Sequence, residues 1–268
     1  MKKEMENFEV EFAKTLSSET LPMELVLRYV SGAKGKRLRP RLVFLTANLF
    51  GEINDTTRRT ALFVELLHTA TLIHDDVVDG SDMRRGQPSV NGRWDNKTAV
   101  LAGDYLLSKA MLELSDPADS PILNEMLSTA MAMSEGELMQ LRGERLEVRG
   151  EREAIQTYLD IISRKTARLI RACCMGGALS VMGEKTEDRR QKLELISEFG
   201  LNLGLVFQMR DDIMDADNPE NVAMAKQLLP GYLDKAMKSL SILEPLVEKG
   251  PALDELKALT VFCAERVF

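Results

Sequence analysis

The stretch T-A-L-F-V-E-L-L-H-T-A-T-L-I-H-D-D-V-V-D, residues 60–79, decides how the chain folds. Its apolar residues recur at three- and four-residue intervals instead of alternating, which is the spacing of a helix with a buried face. The run then stops at three aspartates. A second apolar run ends the same way at F-Q-M-R-D-D-I-M-D, residues 207–215. Outward from these two, the chain is rich in Ala, Leu, Met, Glu, Lys and Arg and poor in aromatics, a composition that favours helix nearly throughout. Prolines and glycines fall between the periodic runs and mark helix breaks: Pro22, Gly32 to Pro40, Gly51, Gly86 to Pro88, Pro117 to Pro121, Gly150, Gly183, Pro219, Pro230 and Gly250 to Pro251. Pro40 suits the first turn of a helix running through Leu42 to Leu49. There is no β-hairpin signature, fixed-period repeat or low-complexity linker. The expected fold is all-α, a helical bundle of roughly eight to ten helices forming a single domain over residues 1–268.

Composition narrows the function. With 268 residues, 44% of them hydrophobic, the chain can bury one large core. A formal charge of -7 argues against a nucleic-acid partner, which calls for a basic face. Three cysteines, Cys173, Cys174 and Cys263, have neither zinc-ligand spacing nor an even disulfide framework. They read as packing residues in a cytoplasmic protein. No stretch reaches the length of a transmembrane span, and Met1 to Phe12 lacks the apolar core of a signal peptide. The Met131, Met133 and Met139 group reads as adaptable core.

Both aspartate clusters have the form D-D-x-x-D. On a helix, Asp75 with Asp79 and Asp211 with Asp215 stand one turn apart on one face, where like charges repel. Each cluster also ends a helix, where negative charge opposes the macrodipole, so a cation should compensate them. Magnesium suits the donors: it is a hard ion that takes carboxylate oxygens and completes its shell with water and phosphate. An EF-hand calcium loop needs alternating ligands, a central glycine and a terminal glutamate, and neither cluster has them. Two such clusters suggest a diphosphate clamped between opposing helices.

Four segments carry a resemblance to a known family. H-T-A-T-L-I-H-D-D-V-V-D-G-S-D-M-R-R-G (68–86), F-Q-M-R-D-D-I-M-D (207–215), G-K-R-L-R-P (35–40) and R-W-D-N-K-T-A-V-L-A-G-D-Y-L-L (93–107) together resemble the trans-type polyprenyl diphosphate synthases. The resemblance implies a helical fold around a deep central cavity, a homodimer or related assembly, and head-to-tail condensation of isopentenyl diphosphate onto an allylic diphosphate. It implies magnesium (Mg2+) as cofactor, with Asp75, Asp79 and Asp211 as principal ligands and Asp76, Asp212 and Asp215 as direct or water-mediated contributors. Lys36, Arg39, His68 and Arg85, with Arg37 as a weaker addition, resemble the isopentenyl-diphosphate contacts. Arg84, Lys165, Thr166 and Gln208 resemble the contacts to the allylic substrate. The division is sensible, because carboxylate-held metal suits a departing diphosphate and a Lys/Arg cluster suits one that stays attached. His74 reads as a helix-end or supporting residue.

The implied reaction ionises the allylic carbon–oxygen bond, with magnesium, Arg84 and Lys165 stabilising the leaving diphosphate. The isopentenyl double bond then attacks, and proton loss completes the addition. A terpene cyclase shares this ionisation but carries a different second motif, and a non-catalytic regulatory subunit has little use for both clusters. Small residues at Ala70 and Thr71, roughly 6 to 7.5 Å below Asp75 at ~1.5 Å rise per residue, resemble the long-chain members of the family, with a peripheral membrane contact for product release. One departure stands out: the family continues the second cluster into a lysine- and glycine-containing loop and another apolar helix, whereas here Asp215 runs almost directly into the segment from Met224. A break in the backbone between Asp215 and Met224 is therefore expected.

Overall fold

Asn54 opens the helix that carries the first aspartate cluster. Its side-chain oxygen accepts from the Thr57 N–H at 2.9 Å, and the Thr57 hydroxyl accepts from the Asn54 N–H at 3.3 Å, a reciprocal capping box. From it, α4 (Asp55–Val78) runs 24 residues, long enough to cross the molecule. The computed structural model describes residues 1–32, 35–143, 150–183, 186–248 and 250–266. Before α4 come α1 (Lys2–Thr15), α2 (Leu21–Ser31) and α3 (Leu38–Phe50). After it follow a short antiparallel hairpin, β1 (Met83–Arg84) and β2 (Gln87–Pro88), then α5 (Val90–Arg93), α6 (Asn96–Glu113) and α7 (Ser120–Gly143). The chain continues through α8 (Glu151–Ile162), a π-helical turn (Ser163–Ala167), α9 (Arg168–Val181), α10 (Glu187–Asp215), α11 (Pro219–Leu243) and α12 (Pro251–Glu265).

Helix α4 packs against α3, α6 and α9, and α10 against α9, α11 and α12, so the two cluster-bearing helices share α9 as a neighbour. Phe44, Phe63, Phe199, Leu45, Leu66, Leu67 and Leu106 are fully buried in the main core. A smaller cluster of Tyr158, Ile162, Ala167, Leu205, Met209 and Ala225 joins α8 and the π-turn to α10 and α11. The bundle is all-α apart from the hairpin, as the periodicity requires.

Five expectations are corrected. The described residues form twelve α-helices instead of eight to ten, because α5 is a single turn and the π-turn divides α8 from α9. The hairpin 83–88 was not anticipated: its strands are two residues each, too short to show alternation, and its turn places Arg85 (φ 52°) and Gly86 (φ 78°) both in the left-handed region without an Asn-Gly pair. Pro230 does not break a helix but lies inside α11, whose packing along α10 carries it past the missing N–H. Met131 is not core; it is 68% exposed on α7. Finally, there is no break between Asp215 and Met224. The Ala216 N–H bonds to the Asp212 carbonyl at 3.2 Å, and Ala216 takes a left-handed φ of 54° that turns the chain. Asn218 then caps α11 by accepting from the N–H groups of Glu220 (2.9 Å) and Asn221 (3.2 Å). Three residues with strong capping geometry suffice to join the two helices.

Candidate active site

Asp75, Asp76 and Asp79 lie at the C-terminal end of α4, but they face different surroundings. Asp76 is buried, and the Arg84 guanidinium grips it: Nε donates to Oδ1 at 2.7 Å and to Oδ2 at 2.8 Å, and Nη2 lies 2.7 Å from Oδ1. This pair ties the hairpin to the helix, so in this structure the two satisfy each other. The end of α4 is held further by Asn91, whose amide donates to the Ser81 carbonyl at 3.1 Å. Asp79 caps the helix and is exposed. Asp75 is half-buried, and burial, then the charge of Glu137, push its carboxyl up to about 6 against the pull of Lys165.

The second cluster ends α10. Asp211 lies 2.5 Å from Arg266, which also donates to the Phe207 carbonyl at 3.0 Å and stacks on the Phe207 ring with 4.0 Å to its centroid. Asp212 receives the Tyr158 hydroxyl on Oδ2 at 2.5 Å and the Gln208 amide on Oδ1 at 2.8 Å. Burial raises the carboxyls of both Asp211 and Asp212, and neighbouring cluster charges add to it; Arg266 and Lys36 oppose the rise at Asp211, and Tyr158, Gln208 and Lys165 oppose it at Asp212. The charge of Lys165 thus reaches both clusters. Asp215 is exposed at the rim.

Lys165 and Thr166 project from the π-turn, where one extra residue per turn displaces them from the regular helical face. The turn is clamped by two glycines. A Cβ on Gly136 of α7 would lie 2.8 Å from the Lys165 backbone nitrogen, and one on Gly204 of α10 would lie 2.4 Å from the Ala167 Cα, so only glycine permits this approach. Lys165 Nζ then reaches Glu137 Oε2 at 2.6 Å and Gln140 Oε1 at 3.1 Å, while the Thr166 hydroxyl donates to Gln208 Oε1 at 2.7 Å. Tyr158, Lys165, Thr166, Gln208, Asp212 and Asp215 line one cleft of about 870 Å³.

A separate basic cluster gathers at the start of α3. Arg37 (φ 49°) and Arg85 (φ 52°) both hold left-handed backbone, a conformation costing on the order of 1–3 kcal/mol and concentrated at functional sites. A Cβ on Gly35 would lie 3.5 Å from the guanidinium nitrogens of both. Arg37 serves structure: it bonds Glu65 Oε1 at 2.6 Å and Glu9 Oε1 at 2.9 Å and stacks 4.7 Å from the Phe12 ring centroid. Among the described residues the buried Nε of Arg39 has no hydrogen-bond partner, and burial shifts its guanidinium downward. His68 is held well below its ordinary value by burial and by Arg39, Arg85, Arg84 and Arg37, so it is neutral and able to donate one N–H among cations. Lys36 is exposed and near enough to Asp211 to act on it. A buried guanidinium nitrogen left unpaired in an arginine-rich cluster suits an anion.

Ala70 is 1% exposed within the main core, and Thr71 is half-buried, its hydroxyl donating to the His68 carbonyl at 2.9 Å. His74 packs on α6, where Gly103 makes room for its ring and the Val100 carbonyl lies 3.1 Å from Nε2. Sequence reasoning missed Glu137, Tyr158 and Arg266. None belongs to a repeated motif; only the fold brings α7, α8 and the C-terminal residues to the clusters.

Among the described residues no three carboxylates, imidazoles or thiolates converge as a ready-made metal cage. The donors nevertheless fit magnesium, which binds through one or two carboxylates and leaves the rest of its octahedron to water and phosphate. Burial raises Asp75, Asp211 and Asp212, neighbouring carboxylates add to the rise, and among the described residues the buried Glu137 Oε1 has no hydrogen-bond partner, all of which a bound cation would relieve.

Comparison with known proteins agrees with these motifs. Residues 22–229 match the family model described as polyprenyl synthetase. The chain is 38% identical over 201 residues to an all-trans-nonaprenyl-diphosphate synthase of Rhodobacter capsulatus, covering 75% of this chain and 59% of that protein. It is 34% identical over 216 residues to heptaprenyl diphosphate synthase component 2 of Geobacillus stearothermophilus (79% and 63%), and 37% identical over 210 residues to a geranylgeranyl diphosphate synthase of Methanosarcina mazei (76% and 62%). The matches thus span only 59% to 63% of these relatives' lengths. In three dimensions it superposes on a Caulobacter crescentus polyprenyl synthase, solved with calcium and isoprenyl diphosphate, with a TM-score of 0.85 at 25% identity, over 99% of this chain and 95% of that one. A heptaprenyl diphosphate synthase from Staphylococcus aureus shares the fold with a TM-score of 0.86 at 24% identity, over 99% and 98% of the two chains. With two aspartate clusters on helices that pack against the same third helix and a sequence match over most of its length, the chain belongs to the polyprenyl synthetase family.

Proposed function

We propose that the protein is a prenyltransferase that condenses isopentenyl diphosphate onto an allylic diphosphate and repeats the addition to a long trans-polyprenyl diphosphate. The observation that carries this reading is the pairing of two clusters of opposite charge: carboxylates around Lys165, and arginines around a neutral His68. Asp75, Asp79 and Asp211 would hold magnesium, with Asp212 and Asp215 supporting the second cluster. When bound, the metal supplies positive charge to the diphosphate that departs. Lys165 and Thr166 hold that diphosphate from the π-turn, and Arg84 reaches it when its pair with Asp76 opens. Lys36, Arg39, His68 and Arg85 bind the diphosphate that stays attached, so the two substrates are oriented before any bond changes. Once the allylic bond ionises, the isopentenyl double bond attacks the cation and a proton leaves to the departed diphosphate beside it. Apolar walls keep water from the cation in between.

Long product is favoured by the small side chains at Ala70 and Thr71 below Asp75, and two of the cited relatives are named for long chains. Activity is tested with labelled isopentenyl diphosphate, an allylic primer and magnesium; no incorporation refutes the reading, and arrest at the farnesyl stage with substrate in excess refutes the chain length. Ala70→Phe or Ala70→Tyr should shorten the products while sparing the first condensation, because a ring one to two turns below Asp75 would meet the chain only after it has grown.

The assembly proposed is a homodimer in the cytoplasm. Leu101, Leu112, Met131 and Leu138 on α6 and α7 are 62%, 69%, 68% and 51% exposed, apolar side chains that a second copy would cover. No helix among the described residues is long and apolar enough to cross a membrane. A second reading, a subunit acting only beside a different chain, draws support from the three-residue connection between α10 and α11 and from Arg266 standing on Asp211. Activity of the purified protein alone separates the two.

A further inference from the structure

We propose that Tyr158 is a positioning residue for the second aspartate cluster, fixing the carboxylate of Asp212 so that the cluster binds its cation in one orientation. The inference rests on the proposed metal-dependent function and assigns a role to a residue that neither motif contains. Tyr158 comes from α8, outside the aspartate motifs, and is 5% exposed. Its ring belongs to the small core with Ile162, Ala167, Leu205 and Met209, which leaves the hydroxyl little freedom. That hydroxyl donates to Asp212 Oδ2 at 2.5 Å.

Asp212 Oδ1 is held as well, by the Gln208 amide at 2.8 Å, and the other end of that amide accepts from the Thr166 hydroxyl at 2.7 Å. Thr166, Gln208, Asp212 and Tyr158 therefore form an unbroken chain from the π-turn to α8. With a donor on each oxygen the carboxylate plane is set, and its remaining lone pairs point in one fixed direction toward the cleft. Without the hydroxyl, the group can turn about its Cβ–Cγ bond, and a cation must then order it on binding. Groups that orient metal-bound carboxylates in this way change metal affinity or activity about 10- to 100-fold when removed.

The test uses Mn2+ in the presence of inorganic diphosphate, read by electron paramagnetic resonance, alongside turnover. Tyr158→Phe keeps the ring and removes only the donor. It should weaken Mn2+ binding about tenfold and raise the magnesium concentration for half-maximal rate by a similar factor. The KM for isopentenyl diphosphate should stay within twofold, since its site lies on α3 and α4. In an Asp212→Asn background the same exchange should change Mn2+ affinity less than twofold. Tyr232→Phe, a hydroxyl beside the same small core, should leave Mn2+ binding unchanged. If Tyr158→Phe folds less stably, the rise in its melting temperature on adding Mn2+ and diphosphate still reports the affinity. Unchanged Mn2+ affinity in Tyr158→Phe, or equal losses with and without the Asp212 carboxylate, would overturn the inference. A wild-type protein that neither binds Mn2+ with diphosphate nor condenses substrates would instead overturn the functional reading beneath it.

Discussion

At the scale of single residues, Asp75 carries the most direct consequences. Its carboxyl is raised from 3.8 to about 6 by burial first and Glu137 second. Because the folded-state value lies above the unfolded one, the protonated form fits the fold better. Stability from this group is therefore complete below pH 3.8 and is lost as pH rises through about 6. Asp211 and Asp212 shift the same way. The metal-free protein should accordingly melt higher at pH 5 than at pH 7, and calorimetry of Asp75→Asn should show a smaller difference. In turnover assays with magnesium the same variant should lose about a hundredfold or more, since in the proposed reaction its charge would act on ionisation. A variant with near-normal turnover removes Asp75 from the metal site. The six aspartates were legible in the sequence because each cluster repeats one short pattern. Which of them are free was not: Asp76 is taken by Arg84 and Asp211 by Arg266, pairings that link positions 8 and 55 residues apart.

At the scale of elements, the π-turn between α8 and α9 does the positioning. Sequence periodicity placed helix on both sides of Lys165, and the family resemblance singled out Lys165 and Thr166. A single extra residue in a helix leaves too faint a mark on apolar spacing to reveal the turn itself. Its glycine neighbours were equally silent, because Gly136 and Gly204 lie inside strong helices where each costs about 1 kcal/mol relative to alanine. The structure supplies the reason for them. Gly136→Ala would press a Cβ to 2.8 Å from both the Arg164 Cβ and the Lys165 backbone nitrogen. It should destabilise the protein by about 1–3 kcal/mol in chemical denaturation, despite alanine's higher helix propensity. It should also raise KM for the allylic substrate, because the shift passes to Lys165. A more stable Gly136→Ala would show that the turn is not clamped. The hairpin at 83–88 was missed for a related reason, two-residue strands being shorter than any alternation.

For the whole molecule, the all-α architecture was readable because apolar spacing of three and four residues persists along nearly the entire chain. The connection from α10 to α11 was not readable, since comparison with a longer pattern suggested a gap where a left-handed Ala216 and an Asn218 cap close the turn. Association is the property a single chain leaves to measurement. Leu112→Glu with Met131→Glu should convert a dimer to monomers in sedimentation while each copy stays folded; a wild-type protein already monomeric at micromolar concentration would remove the homodimer. The π-turn has a further consequence, this one for heredity. Loss of a single codon within residues 163–167 would let α8 and α9 merge into one regular helix. Everything on the α8 side would turn by about 100° relative to α9, carrying the Tyr158 hydroxyl away from Asp212. Such a gene would still encode a chain of nearly unchanged helix content, and its circular dichroism spectrum would look healthy while its site was out of phase.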